Sequence, residues 1–347
     1  MRIGAVPESP LERLLLAAGA VPRPLVETMG AMLLARTLMV GSKVGVFEAL
    51  ADGALDPNAL AQRTGTEARA LAKLLDALVA AGYLRLRRGR YALAPLARKW
   101  LLAASGKSLH DNMLFRFMEW DLLTGYESYV RTGKPLDVHE NADDAQWNLY
   151  QRGMRSLAGL SADEVARRTP VPARATALLD VGGSHGLYAV RLCQRHPSLR
   201  ATILDLPEAV RHAAPILARE GMNDRVVHRA GNALADDLGE AAWDVVLVSN
   251  LVHHFDDAAN RALARRVARA LRPGGVFAIL EPVRPVSPRA AGQVGALLDL
   301  YFAMTSASGT WTLDEMQGWQ SDAGLALRRP IRLRTLPGAV IQAAERR

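Results

Sequence analysis

The sequence predicts an α/β protein: a mostly parallel, doubly wound sheet preceded by a smaller, mainly helical domain with a winged-helix pattern. Three observations predict it. From residue 176 onward, short apolar strands alternate with helical stretches. A glycine-rich turn follows the first of those strands. Residues 25–93 read as successive helices closed by an alternating hairpin.

The elements follow in order. LVETMGAMLLARTLMV (25–40) carries apolar residues at helical spacing, and KVGVFEALADG (43–53) follows as a helix ending at Gly53. In DPNALAQRTG (56–65), Asp56 predicts an N-cap, Pro57 the first helical position and Gly65 the stop. TEARALAKLLDALVAAG (66–82) places Leu71, Leu74, Leu75 and Leu78 on one stripe, with Thr66 as the expected cap. LRLRRGRYAL (84–93) alternates around Gly89 and reads as a hairpin. Residues 1–104 are therefore assigned to the winged-helix domain. Residues 105–170 are irregular, helical and rich in Met and aromatic side chains, and read as a linker. TPVPARA (169–175) supplies a boundary, and 171–347 is the α/β domain. There, strands are expected within 176–183, 201–207, 224–232 and 276–283 and at the start of 243–255, with helices at 186–196, 207–221 and 256–275. Near-continuous apolar strands between helices mean a parallel sheet covered on both faces.

Composition narrows the function. The 347 residues are 50% apolar and 22% charged, with mean hydropathy +0.02, which suits a folded chain with one large core or two modest ones. No apolar run reaches the roughly 18 uncharged residues of a membrane span. The apolar patch LLLAAGAV near the start is short and follows Glu8 and Glu12, so it does not read as a secretion signal. No membrane partner and a cytoplasmic location are the expectation. A lone cysteine, Cys193, excludes an internal disulfide framework and a multi-Cys metal site. The net charge of +8 comes from arginines scattered along the chain, and no lysine follows Lys134. No dense basic run with interleaved aromatics suggests nucleic acid, although the LRLRRGR hairpin is basic. The absence of lysine also removes Schiff-base chemistry and a phosphate-loop lysine from the last two-thirds.

The chemistry concentrates at two places. In LLDVGGSHG (178–186), Asp180 ends a buried strand and glycines follow at 182, 183 and 186. Small residues let a ligand approach the backbone. Asp205 ends the next strand, where an acid can accept hydrogen bonds from both ribose hydroxyls of a nucleoside. The dinucleotide pattern G-x-G-x-x-G fails, because Ser184 and Leu187 stand at its second and third positions. A loop of the form D-x-G-x-x-x-G is instead similar to loops that bind S-adenosylmethionine, which carries no phosphate. The second place is SNLVHHFDD (249–257), just after a buried strand. Asp256 or Asp257 caps the next helix. His253 and His254 are expected to point in different directions, and a histidine beside a methyl donor suits a general base.

These motifs together, with DLP (205–207), GN (231–232) and LRPGG (271–275), resemble the caffeic-acid-type, winged-helix-containing S-adenosylmethionine-dependent O-methyltransferases that act on small molecules, in their bacterial natural-product branch. The resemblance covers about 25–345. It implies a Rossmann-like class I methyltransferase domain and an N-terminal dimerisation domain that closes the partner's substrate pocket, hence a homodimer. It carries the base onto His253 and an orienting acid onto Glu281. It implies cofactor contacts at Asp180, Gly182, Gly183, Ser184, Asp205, Leu206, Asn232, Ala233 and Ser249. Substrate contacts are expected at Met113, Phe117, Tyr150, Met154, Asn250 and Tyr301.

Three positions depart from the family pattern. Asn232 replaces an adenine-contacting Asp, Ser249 a lysine, and Thr310 a second Glu that orients the base. For the missing carboxylate, either Glu281 or Asp299 serves, or the base is weaker. The expected reaction is methylation of a hydroxyl on a small aromatic or polyketide-like metabolite, with no metal and no nucleic acid. The alternative is the same fold with N- or C-methylation, or a non-methylating decarboxylase or pericyclase reaction.

Overall fold

A computed structural model describes residues 3–136, 142–306 and 308–347. The chain divides into two compact units, one up to Glu119 and one from Trp120.

In the first unit, a helical stretch over Arg23–Lys43 contains a single wide turn at Val26–Gly30. By length and composition it could cross a membrane, yet Glu27 and Arg36 interrupt it. Met29, Met32, Leu33 and Leu34 on it are about half exposed. The helix expected over 43–53 shrinks to Val46–Ala49, because Gly45 turns the chain with a positive φ of 81°. Pro57–Thr64 forms as expected: the Asp56 carboxylate accepts from Asn58 N and Ala59 N, and Gly65 ends the helix in left-handed conformation. The cap of Ala68–Ala80 is Glu67, not Thr66. The Glu67 carboxylate accepts from Arg69 N and Ala70 N, while the Thr66 hydroxyl pairs with that of Thr64. Leu71, Leu75 and Leu78 are buried on that helix against Phe47 and Leu50. β1 (Leu84–Arg87) and β2 (Arg90–Leu93) pair antiparallel across an Arg88-Gly89 turn in which both φ are positive, as tight hairpins prefer. Helices closed by a hairpin give the winged-helix pattern.

The second unit is built on one sheet. Its strands are β3 (Ala177–Val181), β4 (Arg200–Asp205), β5 (Val226–Ala230), β6 (Trp243–Ser249), β7 (Leu271–Pro282), β8 (Ala326–Leu327), β9 (Ile331–Arg332) and β10 (Ala339–Glu345). The order is β5-β4-β3-β6-β7-β10-β8, with β9 also on β10. β3 to β7 are parallel, and β10 runs antiparallel to β7. Alternation along each strand divides the core into two layers. Leu178, Val245, Leu247, Ala278 and Leu280 pack on one face, and Leu179, Val246, Val248, Phe277 and Ile279 on the other. β7 starts five residues earlier than the sequence suggests. Gly274, with φ 76°, absorbs the irregularity that Pro-Gly-Gly introduces, and the strand continues through it. The chain leaves β3 toward β4 and β5, then returns to lay β6 and β7 on the other side. The carboxyl ends of β3 and its neighbours at that reversal are where open α/β sheets bind ligands.

Glu164 closes the other end of this unit. It is buried and accepts from Arg334 N, Thr335 N, the Thr335 hydroxyl and Arg168. Burial alone would push its carboxyl up, but the Thr335, Arg334 and Arg168 bonds outweigh burial and hold it at about 2. A folded pKa below the ordinary 4.5 means stabilisation that is complete above that value and lost as pH falls toward about 2. Glu164→Gln is expected to lower the melting temperature at pH 7 by about 2–6 °C. In thermal scans the gap to wild type should close below pH 4. A gap that stays constant to pH 2.5 would contradict this.

Candidate active site

Five loops meet at the carboxyl ends of β3 to β7. After β3, Gly182 turns with φ 67°, its N donating to Leu204 O at 2.7 Å. A Cβ there would lie 2.8 Å from the Leu251 side chain, and one on Gly183 would lie 2.5 Å from Asp180 Cγ. The loop therefore packs tightly against its own neighbours. Ser184 adopts φ 51°, rare outside glycine. Its N donates to Asp205 Oδ2 at 2.7 Å, and its hydroxyl donates to Gln151 Oε1.

Asp205 ends β4 and also accepts from Leu206 N at 2.8 Å on Oδ1. Each of its oxygens thus keeps a lone pair toward the loop space. Burial pushes its pKa above the ordinary carboxylate value, against the opposing Leu206 and Ser184 bonds. Asp180 is fully buried, and neither of its oxygens has a hydrogen-bond partner among the described residues. Burial, and then the nearby Asp205 charge, raise it to about 7. After β5, Asn232 N donates to Asp236 Oδ2, and its own Oδ1 accepts from Leu234 N at 2.8 Å. That leaves its amide nitrogen as the group able to read a ligand edge.

After β6 comes the histidine loop. His253 is 5% exposed, and its Nδ1 lies 3.0 Å from Glu281 Oε2 at the end of β7. The other Glu281 oxygen accepts from Val252 N at 3.0 Å. A carboxylate on Nδ1 fixes the proton there and leaves Nε2 as the basic nitrogen. No described residue hydrogen-bonds that nitrogen. The loop is held further by Asn260 Nδ2 and Trp311 Nε1, both donating to Val252 O at 2.9 Å. The rings of His254 and Phe302 lie 4.3 and 4.5 Å from that of His253, centroid to centroid, and the two histidine rings are tilted 44° to each other. Thr310, where the family's second orienting Glu would stand, donates its hydroxyl to Asp299.

These loops line a cavity of about 640 Å³. Of the expected residues, Tyr150, Gly182, Ser184, Asp205, Leu206, Asn232, Ala233 and Asn250 face it. Asp180, Gly183, Ser249, His253 and Glu281 lie at the same strand ends, behind the cavity wall. Met154 and Tyr301 are half-buried and off the wall, with the Tyr301 ring edge-on to Phe302 at 5.5 Å. Met113 and Phe117 belong to the first unit. There Met113 packs on the core, and Phe117 lies under the Arg36 and Lys43 cations at 4.7 and 4.5 Å. Sequence reasoning missed Trp147, Gln151, Leu251, His254, Phe255 and Thr305, all on the wall. The signal for two of them was the spacing 147, 150, 151 on one helix face.

Comparison with known proteins agrees with this architecture. Residues 125–325 match the O-methyltransferase domain model, and 26–103 match the O-methyltransferase dimerisation domain model. The chain is 31% identical over 319 residues to 3-hydroxy-5-methyl-1-naphthoate 3-O-methyltransferase of Streptomyces sahachiroi, covering 88% of this chain and 89% of that protein. It is 30% identical over 336 residues to acetylserotonin O-methyltransferase of Mus musculus, covering 89% and 85%. The crystal structure of human N-acetylserotonin methyltransferase in complex with SAM matches with TM-score 0.82 over 99% of both chains, at 19% identity.

Proposed function

This chain belongs to the S-adenosylmethionine-dependent O-methyltransferases, and on that premise we propose that it methylates a hydroxyl on a small aromatic metabolite with His253 as general base. It is an enzyme that uses S-adenosylmethionine and acts on a small molecule, and its dimerisation domain makes it a homodimer. The cavity suits the cofactor. The lone pairs of Asp205 fit a ribose diol, and the Asn232 amide nitrogen fits the edge of its base. When bound, the cofactor supplies an electrophilic methyl group on a positively charged sulfur.

The chain's own residues do the rest. Asp205 and the Gly182–Ser184 turn hold the nucleoside, and Asn232 with Ala233 borders its base. Trp147, Tyr150, Leu251 and Phe255 give the cavity an apolar lining that excludes water. An aromatic hydroxyl, with a pKa of about 10, is mostly protonated at neutral pH. His253 Nε2 takes that proton, and Glu281 stabilises the resulting imidazolium through Nδ1–H. Orientation of oxygen toward carbon contributes up to roughly 7–11 kcal/mol.

The observation that carries this reading is the buried His253–Glu281 pair with its free Nε2. The aromatic acceptor is supported by the relative named for methylating a hydroxynaphthoate and by the aromatic wall. A second reading makes His254 the base, because its ring faces the cavity directly. The test of the activity is incubation with S-adenosylmethionine labelled with ¹³C in its methyl group and a panel of hydroxylated naphthoates and simpler phenols. The label should appear as an aryl methyl ether by NMR. Label on nitrogen or carbon, or in no acceptor of the panel, would count against it.

A further inference from the structure

Ser184 poses a structural problem that glycine would avoid. It sits in the left-handed region between two residues that do not, and that conformation costs a non-glycine residue free energy unless its surroundings impose it. Three polar tethers impose it. Two are already described: Ser184 N to Asp205 Oδ2 and the hydroxyl to the buried Gln151. The third comes from β5. His228, in register with Ile203 of β4, places Nε2 2.8 Å from Ser184 O. A carbonyl only accepts, so Nε2–H donates.

We infer that His228 is a positioning residue for the cofactor, acting through the Ser184 carbonyl on the Asp205 carboxylate. The Ser184 residue is held at both ends: its N–H by Asp205 and its C=O by His228. Without the His228 donor, the Ser184–His185 peptide is free to rotate and Ser184 can relax from the left-handed region; the change in its φ turns the separate Gly183–Ser184 peptide, whose N–H orients Asp205 Oδ2. The carboxylate then presents its lone pairs to the ribose at a different angle. No chemistry at the methyl group involves His228, which makes its effect separable from that of the base. The inference rests on S-adenosylmethionine occupying this cavity.

The test compares His228→Leu, which removes the donor, with His228→Gln, which restores an N–H donor on a side chain of similar reach. Affinity for S-adenosylhomocysteine is measured by calorimetry, and kcat and KM for S-adenosylmethionine by turnover. His228→Leu is expected to weaken affinity and raise KM about tenfold, the loss of one hydrogen bond, with kcat at saturating cofactor within about twofold. His228→Gln should recover affinity to within about threefold of wild type. Equal losses in both variants, a fall in kcat instead of a rise in KM, or unchanged affinity in the leucine variant would overturn the inference. Wild-type protein that binds no cofactor in the same experiment would overturn the cavity assignment beneath it.

Discussion

His253→Ala is expected to lower kcat by about 10²–10⁴-fold, the usual worth of a positioned general base, while affinity for S-adenosylhomocysteine stays within about twofold. The reason is geometric. His253 Nδ1 is committed to Glu281, and neither residue is among those that line the cavity beside Asp205. Glu281→Gln should follow the same pattern more mildly, because the amide still bonds Val252 N or Nδ1 but loses the charge that stabilises the imidazolium. His254→Ala is the control, with kcat expected within about fivefold of wild type. Steady-state kinetics and calorimetry on the three variants decide between the histidines. If His254→Ala loses the large factor and His253→Ala does not, the base is His254 and the Glu281 pair is structural.

Asp205→Ala should weaken cofactor binding by tenfold or more, since hydrogen bonds to a charged group are worth about 1.5–3 kcal/mol. The substitution removes the diol acceptors and releases Ser184 N and Leu206 N together. Asp205→Asn keeps the shape but loses the charge, and should fall between alanine and wild type. A pH dependence follows. The ionised form is the one that accepts, and burial raises its pKa above the ordinary carboxylate value. Cofactor affinity should therefore decline with falling pH earlier than an exposed aspartate would allow, and Asp205→Asn should flatten that decline. Calorimetric titrations between pH 5 and 8 measure both. Full affinity in the alanine variant would remove Asp205 from the site.

The parts of this site that were legible in the sequence are those with local signatures. Asp180, Gly182 and Gly183 announce a turn because glycine marks backbone that other residues rarely adopt. Asp205 is found by its place at the end of a buried strand. The two-layer sheet is legible because Leu178-Leu179 and Val245–Val248 are apolar at every position, which only a strand buried on both faces requires. Other features depend on rotation or on distant partners. Trp147 and Gln151 face the cavity while Met154 does not, a difference in helix angle that composition does not encode. The left-handed Ser184 carries no glycine to mark it, and its tethers come from a helix and two strands far apart in sequence. At Thr66-Glu67 two capping residue types stand side by side, and only the chain's entry angle selects the second. Met113 and Phe117 look like pocket residues by type, and their contacts within the first unit are with its core and with Arg36 and Lys43.

A crystal structure of the enzyme with S-adenosylhomocysteine and a hydroxylated naphthoate tests the central proposal most directly. The ribose hydroxyls are expected on Asp205, and the acceptor oxygen within about 2.6–3.2 Å of His253 Nε2, or one water away, facing the sulfur. A ribose remote from Asp205, or an acceptor oxygen bound to His254 with His253 still closed behind the wall, would contradict it.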